Sequence, residues 1–88
     1  MKIKDGFIKR KVVGKWVVVP TEKLSKQYNG IIELNETANE IWEGLVKGLS
    51  PEEIAKSIVE EFEVTYENAL TDINKMIEDM TKEGIIEQ

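Results

Sequence analysis

Apolar residues recur along this chain with two different periods, and the change of period falls near residue 35. Before it, Phe7–Val13 reads as a first strand and the β-branched and aromatic run Trp16–Val19 as a second, separated by the turn signal Gly14-Lys15. Pro20 stops the second run. Residues 21–29 are polar, show no clear periodicity and read as a loop ending at the turn dipeptide Asn29-Gly30. Ile31 to Leu34 then form a third strand, in which Ile32 and Leu34 alternate with Glu33. Beyond residue 35 the spacing becomes helical. Ala38, Ile41, Trp42 and Leu45 mark a first helix over 38–47, ending near Gly48. Ile54, Ala55, Ile58, Val59 and Phe62 lie on one face of a second helix. Leu70, Ile73, Ile77 and Met80, flanked by Ala69 and Met76, define the inner face of a third. The order is α+β: a three-stranded antiparallel sheet followed by three helices.

Helix starts sharpen the boundaries. Thr37 is read as the first N-cap, with Glu40 in the capping-box position. Ser50-Pro51-Glu52-Glu53 is the clearest local signal: Ser50 caps, Pro51 takes the first helical position, Glu53 completes the box, and Leu49 is placed to staple against Ile54. Thr65 caps the third helix and Gly84 ends it, leaving Ile85-Ile86 as a short apolar tail that packs back on the core. Trp42 is expected to be buried where the first helix meets the sheet.

Eighty-eight residues, 41% of them hydrophobic, are expected to make a single domain over 1–88 with one modest core. The absence of Cys and His removes disulfides, thiol chemistry and the commonest general base and metal ligand. No stretch approaches the ~18 apolar residues of a membrane span and no signal-peptide pattern opens the chain, so a soluble, cytoplasmic protein is expected. Charge is segregated. Residues 1–28 hold eight basic and two acidic residues, a net of +6, whereas residues 29–88 hold four and fifteen, a net of -11. Such a dipole can orient a charged partner.

Catalytic and cofactor chemistry find little to build on. The carboxylates Glu52, Glu53, Glu60, Glu61 and Glu63 sit on a helix whose other face is apolar, so they are read as solvated. The six glycines are too dispersed for a phosphate-binding loop, and no calcium-loop pattern occurs. No catalytic residue, metal or cofactor is therefore expected. A rival reading treats residues 50–86 as a winged helix-turn-helix that reads DNA. Its third helix would carry Glu67, Asp72, Glu78, Asp79 and Glu83 against Lys75 and Lys82, a net of -3 that repels phosphates. The basic run Lys9-Arg10-Lys11 is read instead as a solvated strand edge whose charges block aggregation.

The order of motifs resembles the PqqD-like family, that is, coenzyme PQQ synthesis protein D and the related recognition elements of ribosomally made, modified peptides. The matching pieces are Phe7-Ile8-Lys9-Arg10, Ile32-x-Leu34-Asn35-x-Thr37-Ala38, Ile41-Trp42, Gly48-x-Ser50-x-Glu52-x-Ile54-Ala55, Ala69-x-x-Asp72-Ile73, Met76-Ile77 and Gly84-Ile85-Ile86. They cover residues 7–87, and the Leu-Asn-x-Thr-Ala to Ile-Trp block is the most specific of them.

That resemblance implies a winged-helix-like domain with a non-catalytic role. It would capture the leader segment of a precursor peptide and present it to a modifying enzyme such as a radical SAM protein. The leader would pair with the edge of the third strand, at Gly30, Ile31, Ile32, Glu33 and Leu34, against a helix wall of Ala69, Asp72, Ile73, Met76 and Met80. Main-chain bonds from the edge supply affinity and the helix supplies selectivity. Thioether side chains suit a groove that accepts imperfect partners, and equally suit ordinary core filling. Asp72 is open to two roles, binding a peptide cation or capping local backbone. A homodimer through the same edge is a further expectation, and neither nucleic acid nor membrane is an expected partner. The alternative function is a small winged-helix regulator or scaffold contacting protein or DNA.

Overall fold

The computed structural model describes residues 2–28 and 31–87. Eight elements follow in order: β1 (Lys2–Ile3), β2 (Phe7–Val12), β3 (Lys15–Pro20), β4 (Ile32–Leu34), α1 (Glu36–Val46), α2 (Pro51–Glu61), α3 (Tyr66–Lys82) and β5 (Ile86–Glu87). Strands β2, β3 and β4 form the expected antiparallel meander in that spatial order, so β4 is an edge strand. The Asn29-Gly30 turn lies outside the described residues.

The β2–β3 hairpin turns on Val13 and Gly14, whose φ angles are 49° and 77°. Positive φ at both central residues is what a tight primed hairpin turn requires. Gly14 adopts it freely, but Val13 is β-branched, and its Cβ crowds the following carbonyl in that region. Its side chain is 96% exposed, so packing does not offset the strain. Val13→Asn is therefore expected to stabilise the fold by about 1 kcal/mol, raising the thermal midpoint by roughly 4–8 °C in a domain of this size. A melting curve followed by circular dichroism checks this, and a lowered midpoint would show that Val13 is not strained.

Two of the three helix starts match the sequence reading. Ser50 Oγ accepts from the Glu53 backbone N–H and Glu53 Oε1 accepts from the Ser50 N–H, closing the capping box with Pro51 at the first helical position. The bond from the Ser50 backbone, then that involving its side chain, hold the Glu53 carboxyl below its ordinary value. This contribution is present above the unfolded-state pKa and is lost as pH falls through the lowered folded value. Thr65 Oγ1 accepts from the Asn68 N–H and caps α3. The first helix differs from expectation. Asn35, not Thr37, is the N-cap, its Oδ1 accepting from the Ala38 N–H at 2.7 Å. A carboxamide reaches the third helical N–H as well as a hydroxyl does, so α1 begins directly after β4. That leaves β4 and α1 joined by a single residue.

The three helices and the inner side of the sheet close on one core. Trp42, 3% exposed, is buried as expected, alongside Val18, Leu34, Ile41, Ile54 and Ile58. Helices α1 and α2 meet closely at Gly44, where an added Cβ would lie 2.6 Å from Ile54 Cγ1. The apolar tail packs into this core too, with Ile85 and Ile86 buried.

Long-range contacts add three features. Strand β5 pairs with β1, Ile3 opposite Ile86 and Lys2 opposite Glu87, which ties the two ends of the chain together. In the 21–28 loop Leu24 is buried, and Tyr28 donates its hydroxyl to the Gly84 carbonyl at 2.8 Å. Lys9 is not a solvated edge charge. Its side chain is 16% exposed, with Nζ 2.8 Å from Glu43 Oε2, 2.6 Å from Asn39 Oδ1 and 4.5 Å from the Trp16 ring centroid. It therefore clamps β2 to α1.

A groove beside the free edge of the sheet

The direction of each backbone group along β4 follows from register. Val12 and Lys15 flank the two-residue turn and pair with each other. In such a hairpin the flanking pair exchanges both hydrogen bonds, and bonded and non-bonded pairs then alternate. Arg10–Val17 and Ile8–Val19 are consequently bonded pairs, whereas Phe7–Pro20 is not, in keeping with the missing N–H of Pro20. Trp16 and Val18 must then turn their N–H and C=O toward β4, where they face Leu34 and Ile32. Glu33, opposite Val17, is left with both its N–H and its C=O pointing away from the sheet. The free edge of β4 thus offers a donor and an acceptor from one residue, ready to pair with an added strand.

Alongside this edge runs an open groove of about 400 Å³ between β4 and α3. Its floor is apolar, built from Ile32, Leu34, Ala38, Ile41, Met76 and Met80. Glu33 of β4, Asn35 of the β4–α1 junction and Thr37 of α1 also line it, and the rim on α3 and its C-cap contributes Asp72, Lys75, Asp79 and Glu83. The one-residue join at Asn35 sets the width of this end, because α1 leaves the strand without a loop that could fill it. No group of three or more His, Cys, Asp or Glu among the described residues is arranged to hold a metal ion.

Six of the residues named from the sequence meet in this groove: Ile32, Glu33, Leu34, Asp72, Met76 and Met80. Three others among the described residues do not line it. Ala69 and Ile73, 2% and 0% exposed, lie in the core beneath α3 and present no surface to a ligand. Ile31, 65% exposed, precedes β4; it borders a hollow on the opposite side of the sheet with Val12, Val13 and Val17, and a second hollow with Tyr28, Ile32 and Glu83. Gly30 lies outside the described residues.

On α3 the stripe that lines the groove is rotated relative to the expected wall. The expected stripe was 69, 72, 73, 76 and 80, and the observed one is 72, 75, 76, 79, 80 and 83. The missed positions Lys75, Asp79 and Glu83 follow Asp72 at i+3, i+7 and i+11, so helical periodicity alone could have found them. Of Asp72's two open roles, no capping bond from its carboxylate occurs among the described residues.

A three-stranded meander and three helices, with an open groove at the sheet's free edge, define a small winged-helix-like class of α+β proteins. A sequence model described as coenzyme PQQ synthesis protein D (PqqD) matches residues 15–86, and the chain belongs to this family. No curated protein sequence matches it. Among solved structures, TbiB1 in complex with the TbiA(beta) leader peptide is similar at a TM-score of 0.78 and 22% identity, covering 99% of this chain and 95% of that one. Lasso peptide synthetase B1 complexed with the leader peptide is similar at a TM-score of 0.77 and 21% identity, covering 96% and 93%. At these identities the two structures establish the shared fold. No helix among the described residues is long and apolar enough to cross a membrane.

Proposed function

We propose that this chain binds the leader segment of a ribosomal precursor peptide by adding it as a strand to β4, and presents it, without catalysing a reaction itself, to a modifying enzyme such as a radical SAM protein. The observation that carries this reading is the outward-facing N–H and C=O of Glu33 beside an apolar groove. Strand addition needs both: the edge supplies main-chain bonds indifferent to sequence, and the groove selects alternate side chains. Family membership and two neighbours of the same fold that hold leader peptides support it. The same edge could accept a second copy of the chain, so leader binding is expected to compete with any self-association. The test is calorimetry with the leader of the precursor peptide encoded beside this chain's gene. Saturable binding with one leader per chain is expected, and no heat at any concentration would overturn the reading.

The regulator alternative finds no support on α3. Its exposed residues include Glu67, Asp72, Glu78 and Asp79 against Lys75 and Lys82, with Glu83 at the C-cap, and phosphate neutralisation supplies much of the affinity for duplex DNA. Specific DNA binding is expected to be negligible at physiological salt. An anisotropy titration against genomic fragments checks this, and tight sequence-dependent binding would restore the regulator.

A further inference from the structure

The charge of the groove names the kind of peptide it takes. Asp72, Asp79 and Glu83 stand along the α3 rim, and none of them is in an ion pair among the described residues. Lys75 is the single cation facing them in the described lining. Glu33, whose side chain alternates with those of Ile32 and Leu34 and leaves the opposite face of the sheet, is already matched by Lys15 at 3.2 Å. The rim therefore keeps a net charge of -2 directly above an apolar floor that includes Met76.

The geometry points to a bound strand whose groove-facing side chains alternate apolar residues with Lys or Arg, and to exclusion of acidic segments; this rests on the strand-addition reading above. Side chains of an added strand alternate between the two faces, so every second one enters the groove. A long cationic side chain fits both layers it meets there. Its methylenes lie on the thioether floor while its charged head reaches the carboxylates at the rim. A Glu or Asp at the same position would meet a like-charged rim and lose hydration over an apolar floor. Exposed carboxylates of this kind also make encounter faster for cationic peptides, in a manner that salt weakens.

Two synthetic peptides test this on the whole protein. Both place Thr at every second position. The intervening positions carry Leu, Val and Leu separated by two Lys in one peptide and by two Glu in the other. Anisotropy titrations should show the Lys peptide binding at least about tenfold tighter, the effect of one favourable exposed contact per charge. That preference should shrink as salt rises from about 0.1 M to about 1 M, where the screening length falls to about 3 Å. It should disappear in the triple variant Asp72→Asn, Asp79→Asn, Glu83→Gln, whose fold is checked by circular dichroism. Equal binding of the two peptides, preference for Glu, binding of neither, or a Lys preference that survives the triple substitution each overturns the inference. Glu33→Pro separates this from the underlying reading. If it abolishes equal binding of both peptides, strand addition stands and only the charge rule falls. If binding of the Lys peptide is untouched by it, the attraction is diffuse and not seated at the edge, and both fall. Where neither peptide binds, the leader calorimetry reports on strand addition by itself.

Discussion

Glu33→Pro is expected to abolish binding of a leader peptide while leaving the sheet assembled. The substitution removes an N–H that faces away from β3, so no bond between β3 and β4 is lost. Proline is tolerated on a sheet edge for the same reason. An added strand, however, would lose its donor at the centre of β4 and meet a pyrrolidine ring in its place. The lost ion pair with Lys15 joins two exposed groups and contributes little to stability. Met76→Asp is a companion that leaves the edge intact. Met76 is only half-buried, so the fold should survive, but an ionised carboxylate in the groove floor resists desolvation by a peptide. Both variants are expected to lose leader binding by at least about a hundredfold, about 2.7 kcal/mol. Calorimetry measures this, with circular dichroism as the folding control. Parent-like affinity in both folded variants would place the leader elsewhere.

The second large effect is on stability. Trp42→Ala is expected to cost roughly 3–5 kcal/mol, the range for large-to-small changes in a closed core. Trp42 sits in the core shared by α1 with Val18 and Leu34 of the sheet and Ile54 and Ile58 of α2. An indole removed there leaves a void that helices held by capped ends cannot simply close. Typical domains have only about 5–15 kcal/mol in total, so the variant should unfold at much lower denaturant. An unchanged midpoint in chemical denaturation would mean that the packing around α1 is not what holds the fold together.

How much of this was legible beforehand depends on the range of the interaction concerned. The helix starts at Ser50 and Thr65 are decided by bonds spanning three residues, and such bonds are written in the local sequence. The period-two runs that form β2, β3 and β4, the 3.6-residue spacing of the three helices and the burial of Trp42 and Ile85-Ile86 follow from patterning in the same way. So does the segregation of basic residues toward the beginning of the chain and acidic ones beyond residue 28. Local competition was harder to judge. Asn35 and Thr37 are both good caps, and the position of β4 immediately before them favours the earlier one.

Contacts between distant residues were decided only by the tertiary structure. Pairing of β1 with β5 joins residues more than eighty apart through two short strands that carry no distinctive pattern. Lys9 looks like any strand-edge cation until α1 brings Asn39 and Glu43 to it. Leu24 and Tyr28 are isolated in a polar loop, and only the approach of that loop to the core and to Gly84 gives them a role. The groove belongs to this second group. The family resemblance implied that Ile32, Leu34, Met76 and Met80 share a surface, yet it could not set the rotation of α3. That rotation buries Ala69 and Ile73 and turns Asp72, Asp79 and Glu83 toward the edge of β4. The amphipathic pattern of a helix fixes which face is apolar. Which border of that face meets the core and which meets the groove depends on the neighbours it packs against, and those are set by the whole chain.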